Sequence, residues 1–349
     1  MTLQNSRLQR FCIQKTSFSD KITLLPVPSN VTICYNVMND PYICRFRAGT
    51  ETEKGELTMI RVLYNPHAGQ GWTAEKEAEI RAFYPSEECV FYDMTTVSYP
   101  AFFANTLAKD ERLMIVGGDG TLNRFINETA GIQIQNEITY WHGGSGNDFM
   151  HDVAADADHP IVINPYLQNL PTVEVNGKTY RFLNGVGYGI DGYCCEVGDK
   201  QKATSDKPVN YTGIAIKGLL FHFKPADATV TVDGVTKSYK KVWLAPTMHG
   251  RFYGGGMIAT PGQTRNNPDG TLSLLVWHGS GKLPTLMNFP NIFKGEHTKK
   301  SKMCEVLTGK DITVRFSHPT ALQIDGETIL NVTEYHARSY RLAPEPASV

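Results

Sequence analysis

From residue 59 onward the chain repeats one unit: a short apolar run, a loop carrying glycine, then residues at helical spacing. This rhythm leaves few folds open, because consecutive parallel strands need a crossover between them, and a helix is the usual one. Met59–Tyr64 reads as a buried strand, and Ala74–Phe83 has helical spacing with Glu and Lys on its outer face. Cys89–Tyr92 is a second strand. Tyr99–Leu107 is a helix opened by Ser98, with Pro100 in its first turn. Arg112–Val116 and Ile138–Trp141 are the third and fourth strands, with helical residues Leu122–Thr129 between them. The sequence therefore predicts an α/β fold, an open and mostly parallel sheet with helices on both faces.

After about residue 160 the rhythm changes. Asn176-Gly177 lies between Val173–Val175 and Tyr180–Leu183, and Asp233-Gly234 between Thr229–Val232 and Thr236–Tyr239. Such dipeptides between alternating runs are hairpin signals. Leu272–Trp277, Ile312–Phe316 and Ala321–Ile324 add further strands, so the second half reads as an antiparallel β-sandwich. The boundary is expected near Asp158–Pro165. Residues 1–58 differ from both halves: they hold two of the 31 glycines but three of the seven cysteines. They are expected to be a poorly ordered or accessory extension, or translated upstream sequence that is not native, with Met59 opening the functional fold.

Lys and Arg number 34 and Asp and Glu 35, a net charge of −1, which argues against an electrostatic nucleic-acid binder. No apolar run approaches the roughly 20 residues of a membrane span. No apolar stretch near the N-terminus precedes a small-residue cleavage site, and no CxxC pair occurs. A cytoplasmic protein with reduced thiols is the expected class.

Gly117-Gly118-Asp119-Gly120-Thr121 follows the third strand and opens a helix, where an open α/β sheet places its ligands. Glycines let the backbone approach a phosphate, and a helix N-terminus offers free N–H groups to it. The same spacing also suits a plain tight turn with Asp119 as a cap. A second such loop, Gly143-Gly144-Ser145-Gly146-Asn147-Asp148, follows the next strand. Two glycine-rich loops at neighbouring strand ends, each with an acidic residue, point to a nucleotide and its metal. A third loop, Asn65-Pro66-His67-Ala68-Gly69-Gln70-Gly71, closes the first strand, with His67 either a ligand or polar surface. In the β half, Gly254-Gly255-Gly256, Asp269-Gly270, Lys294-Gly295-Glu296-His297 and Gln323-Ile324-Asp325-Gly326-Glu327 stand out. Asp325 is read either as part of a hairpin turn or as an acid–base carboxylate facing the crevice.

Taken in order, these seven motifs resemble the diacylglycerol kinase catalytic-domain family, lipid kinases that include bacterial diacylglycerol kinases and sphingosine kinases. The resemblance covers about residues 60–345. It implies transfer of the γ-phosphoryl group of ATP, with Mg²⁺, to a lipid hydroxyl, and diacylglycerol is the expected acceptor. It also implies an α/β ATP-binding domain of residues 59–160 joined by residues 328–345, and a lipid-substrate domain of residues 161–327. Carried over, Asn65, Gly69, Gly117, Gly118, Asp119, Gly120, Thr121, Gly144, Ser145, Asn147, Asp148 and Glu327 would bind the nucleotide. Asp119 and Asp148 would hold the catalytic Mg²⁺, Asp325 would be the general base, and Asp269 with the Leu272 carbonyl would match a second Mg²⁺ site. Three positions depart from the pattern: Arg124 follows Asn123 where Glu is common, His151 replaces Arg, and Ser273 replaces an Asp of that second site.

An NAD kinase shares the Gly-Gly-Asp-Gly-Thr loop, and a catalytically silent nucleotide-binding regulator would share the fold; both are alternative readings. A lipid substrate implies transient, peripheral contact with the inner face of the membrane. Trp277, Phe252 and the segment Gly213–Phe223 are candidate lips, each also suited to a core position. The family further implies a homodimer.

Overall fold

The structure is a computed structural model that describes residues 11–14, 23–26, 59–69, 71–144, 146–154, 157–205 and 209–340. The chain forms two compact units, residues 1–56 and 57–349. In the first, β1 (Phe11–Gln14) pairs antiparallel with β2 (Thr23–Pro26). The rest of the expected 1–58 extension lies outside the described residues.

The second unit opens with the α/β layer: β3 (Met59–Tyr64), α1 (Ala74–Phe83), β4 (Glu88–Asp93), α2 (Tyr99–Asn105), β5 (Arg112–Gly117), α3 (Asp119–Glu128), β6 (Ile138–His142), α4 (Asp148–Ala154) and β7 (Ile161–Val162). The sheet runs β4-β3-β5-β6-β7, parallel except for β7. Leu113, Met114, Ile115 and Val116 of β5 are all buried. Successive side chains on a strand point to opposite faces, so both faces of the sheet are covered, as an all-apolar parallel strand requires. Helix α1 starts where the Thr73 hydroxyl accepts the Lys76 N–H. Glu75 and Glu77 lie in its first turn and Arg81 in its last, each charge opposing the helix dipole.

From β3 the chain goes to β4 on one side, then returns to place β5 on the other. The loops leaving β3 and β5 therefore diverge at a topological switch point, where open α/β sheets form their crevice. Strand β7 pairs with β6 within the expected boundary segment, and beyond it Leu170 still packs in the same apolar core.

After α5 (Asn164–Leu167) the antiparallel part begins with β8 (Thr172–Val175), β9 (Lys178–Arg181), β10 (Gly185–Tyr188) and α6 (Ile190–Lys202). Helix α7 (Tyr211–Lys217) leads into a π-helical turn at Gly218–His222 and then β11 (Ala226–Val232) and β12 (Val235–Val242). Short strands β13 (Thr247–Met248), β14 (Phe252–Tyr253) and β15 (Met257–Ile258) follow, then β16 (Leu272–Trp277) and α8 (Lys282–Asn288). Strands β17 (Cys304–Gly309), β18 (Asp311–Ile324) and β19 (Glu327–Arg338) complete it. Ten of these strands form one branched antiparallel sheet, wrapped around a core that includes Val173, Val230, Val276, Ile312 and Leu322. The hairpin turns Asn176-Gly177 and Asp233-Gly234 have positive φ at both central residues, the geometry that matches strand twist.

Two expectations need correction. Residues 328–338 do not return to the α/β layer: β19 pairs along β18 and with β8 inside the antiparallel sheet. The runs 312–316 and 321–324 are one strand, interrupted by bulges on either side of Thr320, where Pro319 costs no ladder hydrogen bond.

Candidate functional site

Three glycine-bearing loops meet at the switch point. The Asn65 N–H donates to the Val116 carbonyl (3.1 Å) and its side-chain amide to the Thr121 hydroxyl (2.9 Å), tying the end of β3 to the start of α3. Gly143 N–H donates to the Gly117 carbonyl at 2.7 Å. Gly118 and Gly144 lie backbone against backbone, so a Cβ on Gly144 would collide with the Gly118 Cα. Gly69 has φ of +59°, and a Cβ there would strike the Gly143 carbonyl oxygen. The glycines thus let the loops nest, and Gly118 caps α3 with backbone alone. The structure brings together Asn65, Gly69, Gly117–Thr121, Gly144, Asn147 and Asp148 of the expected nucleotide set, while Ser145 lies outside the described residues. Glu327 reaches the same place from β19, its Oε1 lying against Gly120. His67 is exposed on its loop.

Three carboxylates line the adjoining wall. Asp119 accepts the Asp148 N–H (2.9 Å), the Phe149 N–H (2.8 Å) and the Asn184 side-chain amide (2.9 Å). Asp148 accepts the N–H groups of Gly255 (2.9 Å) and Gly256 (2.7 Å). Gly254, Gly255 and Gly256 all have positive φ, a run only glycine sustains, and it turns two successive amides toward one carboxylate. Burial, reinforced by the nearby Asp119 charge, pushes the Asp148 carboxyl up to about 7. Asp325 sits at a hairpin tip with φ of +47°, Gly326 beside it. It accepts N–H groups from Leu183 (2.6 Å), Asn184 (2.8 Å) and Gly185 (2.9 Å), and the Asn123 amide at 2.9 Å. Burial raises its pKa against the pull of those four donors. The turn reading of its Asp-Gly dipeptide holds, and the Asp325 carboxylate itself is buried against the 183–185 backbone and Asn123.

Asp119 and Asp148 fit a divalent cation. A carboxylate has about four acceptor positions, of which Asp119 uses three and Asp148 two, and Mg²⁺ takes one or two carboxylates with waters for the rest. The raised Asp148 is a charge that a cation would relieve. Among the described residues no three His, Cys, Asp or Glu side chains form a closed metal cage. The expected second site does not fit. Asp269 is exposed, and the buried groups near it are neutral and satisfy one another. The Ser273 hydroxyl donates to Gln263 Oε1 (2.6 Å), and Gln263 Nε2 donates to the carbonyls of His249 (3.2 Å) and Thr271 (3.0 Å). A single exposed carboxylate beside a closed amide–hydroxyl knot leaves a cation little charge to bind.

The sequence reading missed what holds this wall in place. Arg265, buried, pairs with Asp152 of α4 (2.9 Å), which also takes Arg251 (2.9 Å). Arg265 also donates to Asn184 Oδ1 at 2.8 Å and to the Leu183 carbonyl. Asn184 therefore links Arg265 to Asp119 through its side chain and to Asp325 through its N–H. Arg265 lies in a polar loop without periodicity, and nothing local marks it. Asn123 carried a signal, since it continues the Gly-Asp-Gly-Thr loop one turn into the helix. Asp191, buried at the start of α6, is pushed up to about 7 by desolvation, and its Oδ2 has no hydrogen-bond partner. His297 is buried and stacked on Trp277.

Residues 59–172 match the diacylglycerol kinase catalytic domain, and residues 184–345 match the YegS C-terminal NAD kinase beta sandwich-like domain. A Staphylococcus epidermidis protein named as a candidate lipid kinase is 30% identical over 229 residues, 62% of this chain and 69% of that one. A Mycobacterium tuberculosis diacylglycerol kinase is 24% identical over 217 residues, 60% of this chain and 67% of its own. A crystal structure titled as a Bacillus anthracis diacylglycerol kinase shares the fold, with a TM-score of 0.51 at 19% identity. That likeness covers 85% of this chain and 100% of the other.

Proposed function

Since the chain belongs to the diacylglycerol kinase catalytic-domain family of lipid kinases, we propose that it moves the γ-phosphoryl group of ATP onto a lipid hydroxyl, with diacylglycerol as acceptor and phosphatidic acid as product. The observation that carries this reading is the meeting of the glycine loops at the α3 N-terminus with Asp119, Asp148 and Asp325 on one wall. The first turn of α3 receives the phosphates, through N–H groups and the positive end of the helix dipole. Asp119 and Asp148 hold Mg²⁺, which when bound offsets charge on the phosphoryl oxygens.

Phosphoryl transfer depends on positioning and charge stabilisation more than on covalent help. The acceptor hydroxyl oxygen forms the new bond to phosphorus, the bond to the ADP oxygen breaks, and the hydroxyl proton passes to Asp325. All four acceptor positions of Asp325 are filled, three by backbone N–H groups and one by the Asn123 side chain. The side-chain donor is the one that can swing away, so the hydroxyl enters in place of the Asn123 amide. No helix among the described residues is long and apolar enough to cross a membrane, and the lipid is met by peripheral contact. The reading is tested by ADP release with Mg²⁺ and either diacylglycerol micelles or NAD. Release with micelles supports it, release with NAD alone moves the protein to an NAD kinase activity, and ATP binding without release makes it a silent regulator.

A further inference from the structure

The outer side of the apolar cluster behind the crevice is neither covered nor polar. Helix α7 and the π-helical turn Gly218–His222 bury Ile214, Ala215 and Leu219, and α8 with the 3₁₀ turn Phe289–Lys294 buries Phe289 and Ile292 in the same cluster. The two segments are joined where Lys282 Nζ donates to the Leu220 carbonyl at 2.8 Å. Their outward residues are also apolar: Phe221 is 71% exposed, Met287 73% and Leu283 65%, with Ile216 and Phe293 beside them exposed to a lesser degree. Exposed apolar side chains are ordinary when scattered; six of the ten large ones on the described surface fall on these two segments, Tyr211 being the sixth.

Charge is concentrated on the same segments. Residues 209–224 and 281–302 carry seven lysines and one glutamate, a local charge of +6 in a chain whose total is −1. Lys217, Lys224, Lys282, Lys294, Lys300 and Lys302 are all exposed, while Lys299 is held by Glu296. Apolar residues rimmed by lysines, on a chain otherwise net negative, match a surface that is oily below and anionic above.

We propose that this face docks the protein on an anionic lipid bilayer, with Phe221, Leu283 and Met287 entering the acyl boundary and the lysines resting on the headgroups. The proposal rests on the lipid-kinase reading and names the surface by which that kinase meets its substrate. The docked face and the catalytic wall share one apolar cluster. Tyr253 and Met257, which flank the Gly254–Gly256 turn holding Asp148, pack in the same cluster as Phe289 and Ile292. Of the lips expected from sequence, part of Gly213–Phe223 is in this face, Phe252 is half-buried, and Trp277 is wholly buried.

The test is co-sedimentation of the full chain, without ATP, with vesicles of phosphatidylcholine alone and of equal phosphatidylcholine and phosphatidylglycerol. The wild type is expected to sediment with the anionic vesicles at low salt and to be released by 0.5 M NaCl. The double variant Phe221→Ser/Met287→Ser and the triple variant Lys282→Glu/Lys300→Glu/Lys302→Glu should each bind at least about tenfold more weakly. Their ADP release with a monomeric short-chain diacylglycerol should stay within about twofold of wild type. A wild type that ignores anionic vesicles, or variants that bind as tightly as wild type, would overturn the proposal. So would a wild-type dimer in sedimentation velocity that Phe221→Ser/Met287→Ser makes monomeric, since the face would then be covered by a second copy. Binding is read without turnover, so a protein that docks but transfers no phosphate refutes the kinase reading and leaves the surface standing.

Discussion

Asp325→Asn offers a quantitative check on how the crevice is held together. Asn tolerates the positive φ at this position, so the substitution acts on the side chain and not on the backbone. One carboxylate oxygen becomes an NH₂ group, which cannot accept. Whichever way the amide turns, it loses either the Leu183 N–H and Asn123 amide, or the Asn184 and Gly185 N–H groups. Two buried donors left without acceptors cost about 1–3 kcal/mol each, and removing a desolvated charge returns part of that. The net expected loss is about 2–4 kcal/mol, which at about 2 °C per kcal/mol for a chain of this size lowers Tm by about 4–8 °C. Thermal unfolding followed by tryptophan fluorescence reads it, with Asp269→Asn at its exposed turn as a control expected within about 1 °C of wild type. An Asp325→Asn protein that unfolds within about 1 °C of wild type would refute the reasoning. Well below its Tm, the folded variant should still lose at least about a hundredfold in turnover, the scale of a lost general base.

Further outcomes follow from the same geometry. Gly69→Ala, which cannot keep φ of +59° or avoid the Gly143 carbonyl, should weaken ATP binding by about tenfold or more, read by isothermal titration. Arg265→Met leaves the buried Asp152 with Arg251 alone and should destabilise the fold by about 3–5 kcal/mol in urea unfolding, while Arg265→Lys recovers only part of that. Asp148 and Asp191 are both raised to about 7, far above their unfolded values. The folded state then holds protons that the unfolded state has released, so stability is present at low pH and is lost as pH rises through 7. Between pH 6 and 8 Asp191 should account for about 1 kcal/mol of that loss, and Asp191→Asn should flatten the metal-free pH profile of Tm.

The legible parts of the molecule were those whose cause is local. Strand β3 and helix α1 fall on their expected residues, and β5 within one, because apolar runs, a Thr cap and helical spacing act over neighbouring positions. Asp119, Asp148 and Asp325 were legible because glycines mark the loops that carry them. What was hidden depends on distance or on exceptions to propensity. Helix α6 contains Gly192 and Gly198, which weaken any helical signal; both are there for close packing, Gly192 against the Ala321 backbone and Gly198 against the Tyr211 ring. Strand β10 is only four residues long and wholly buried between distant partners, and β19 lies in the segment that the family resemblance assigned to the other domain. Arg265 finds Asp152 across 113 positions, and no window of sequence contains both. The Ser273 departure was visible, yet only the structure shows Gln263 closing the space beside it.

The central claim is that the wall of Asp119, Asp148 and Asp325 passes phosphate from ATP to a lipid alcohol. The most direct measurement is transfer of label from γ-labelled ATP, with Mg²⁺, into diacylglycerol-containing micelles, comparing wild type with Asp119→Asn and Asp148→Asn. The account predicts labelled phosphatidic acid from the wild type and a loss of at least about a hundredfold in both variants. Labelled lipid made equally well by the variants, or no labelled lipid from a wild type that binds ATP, would contradict it.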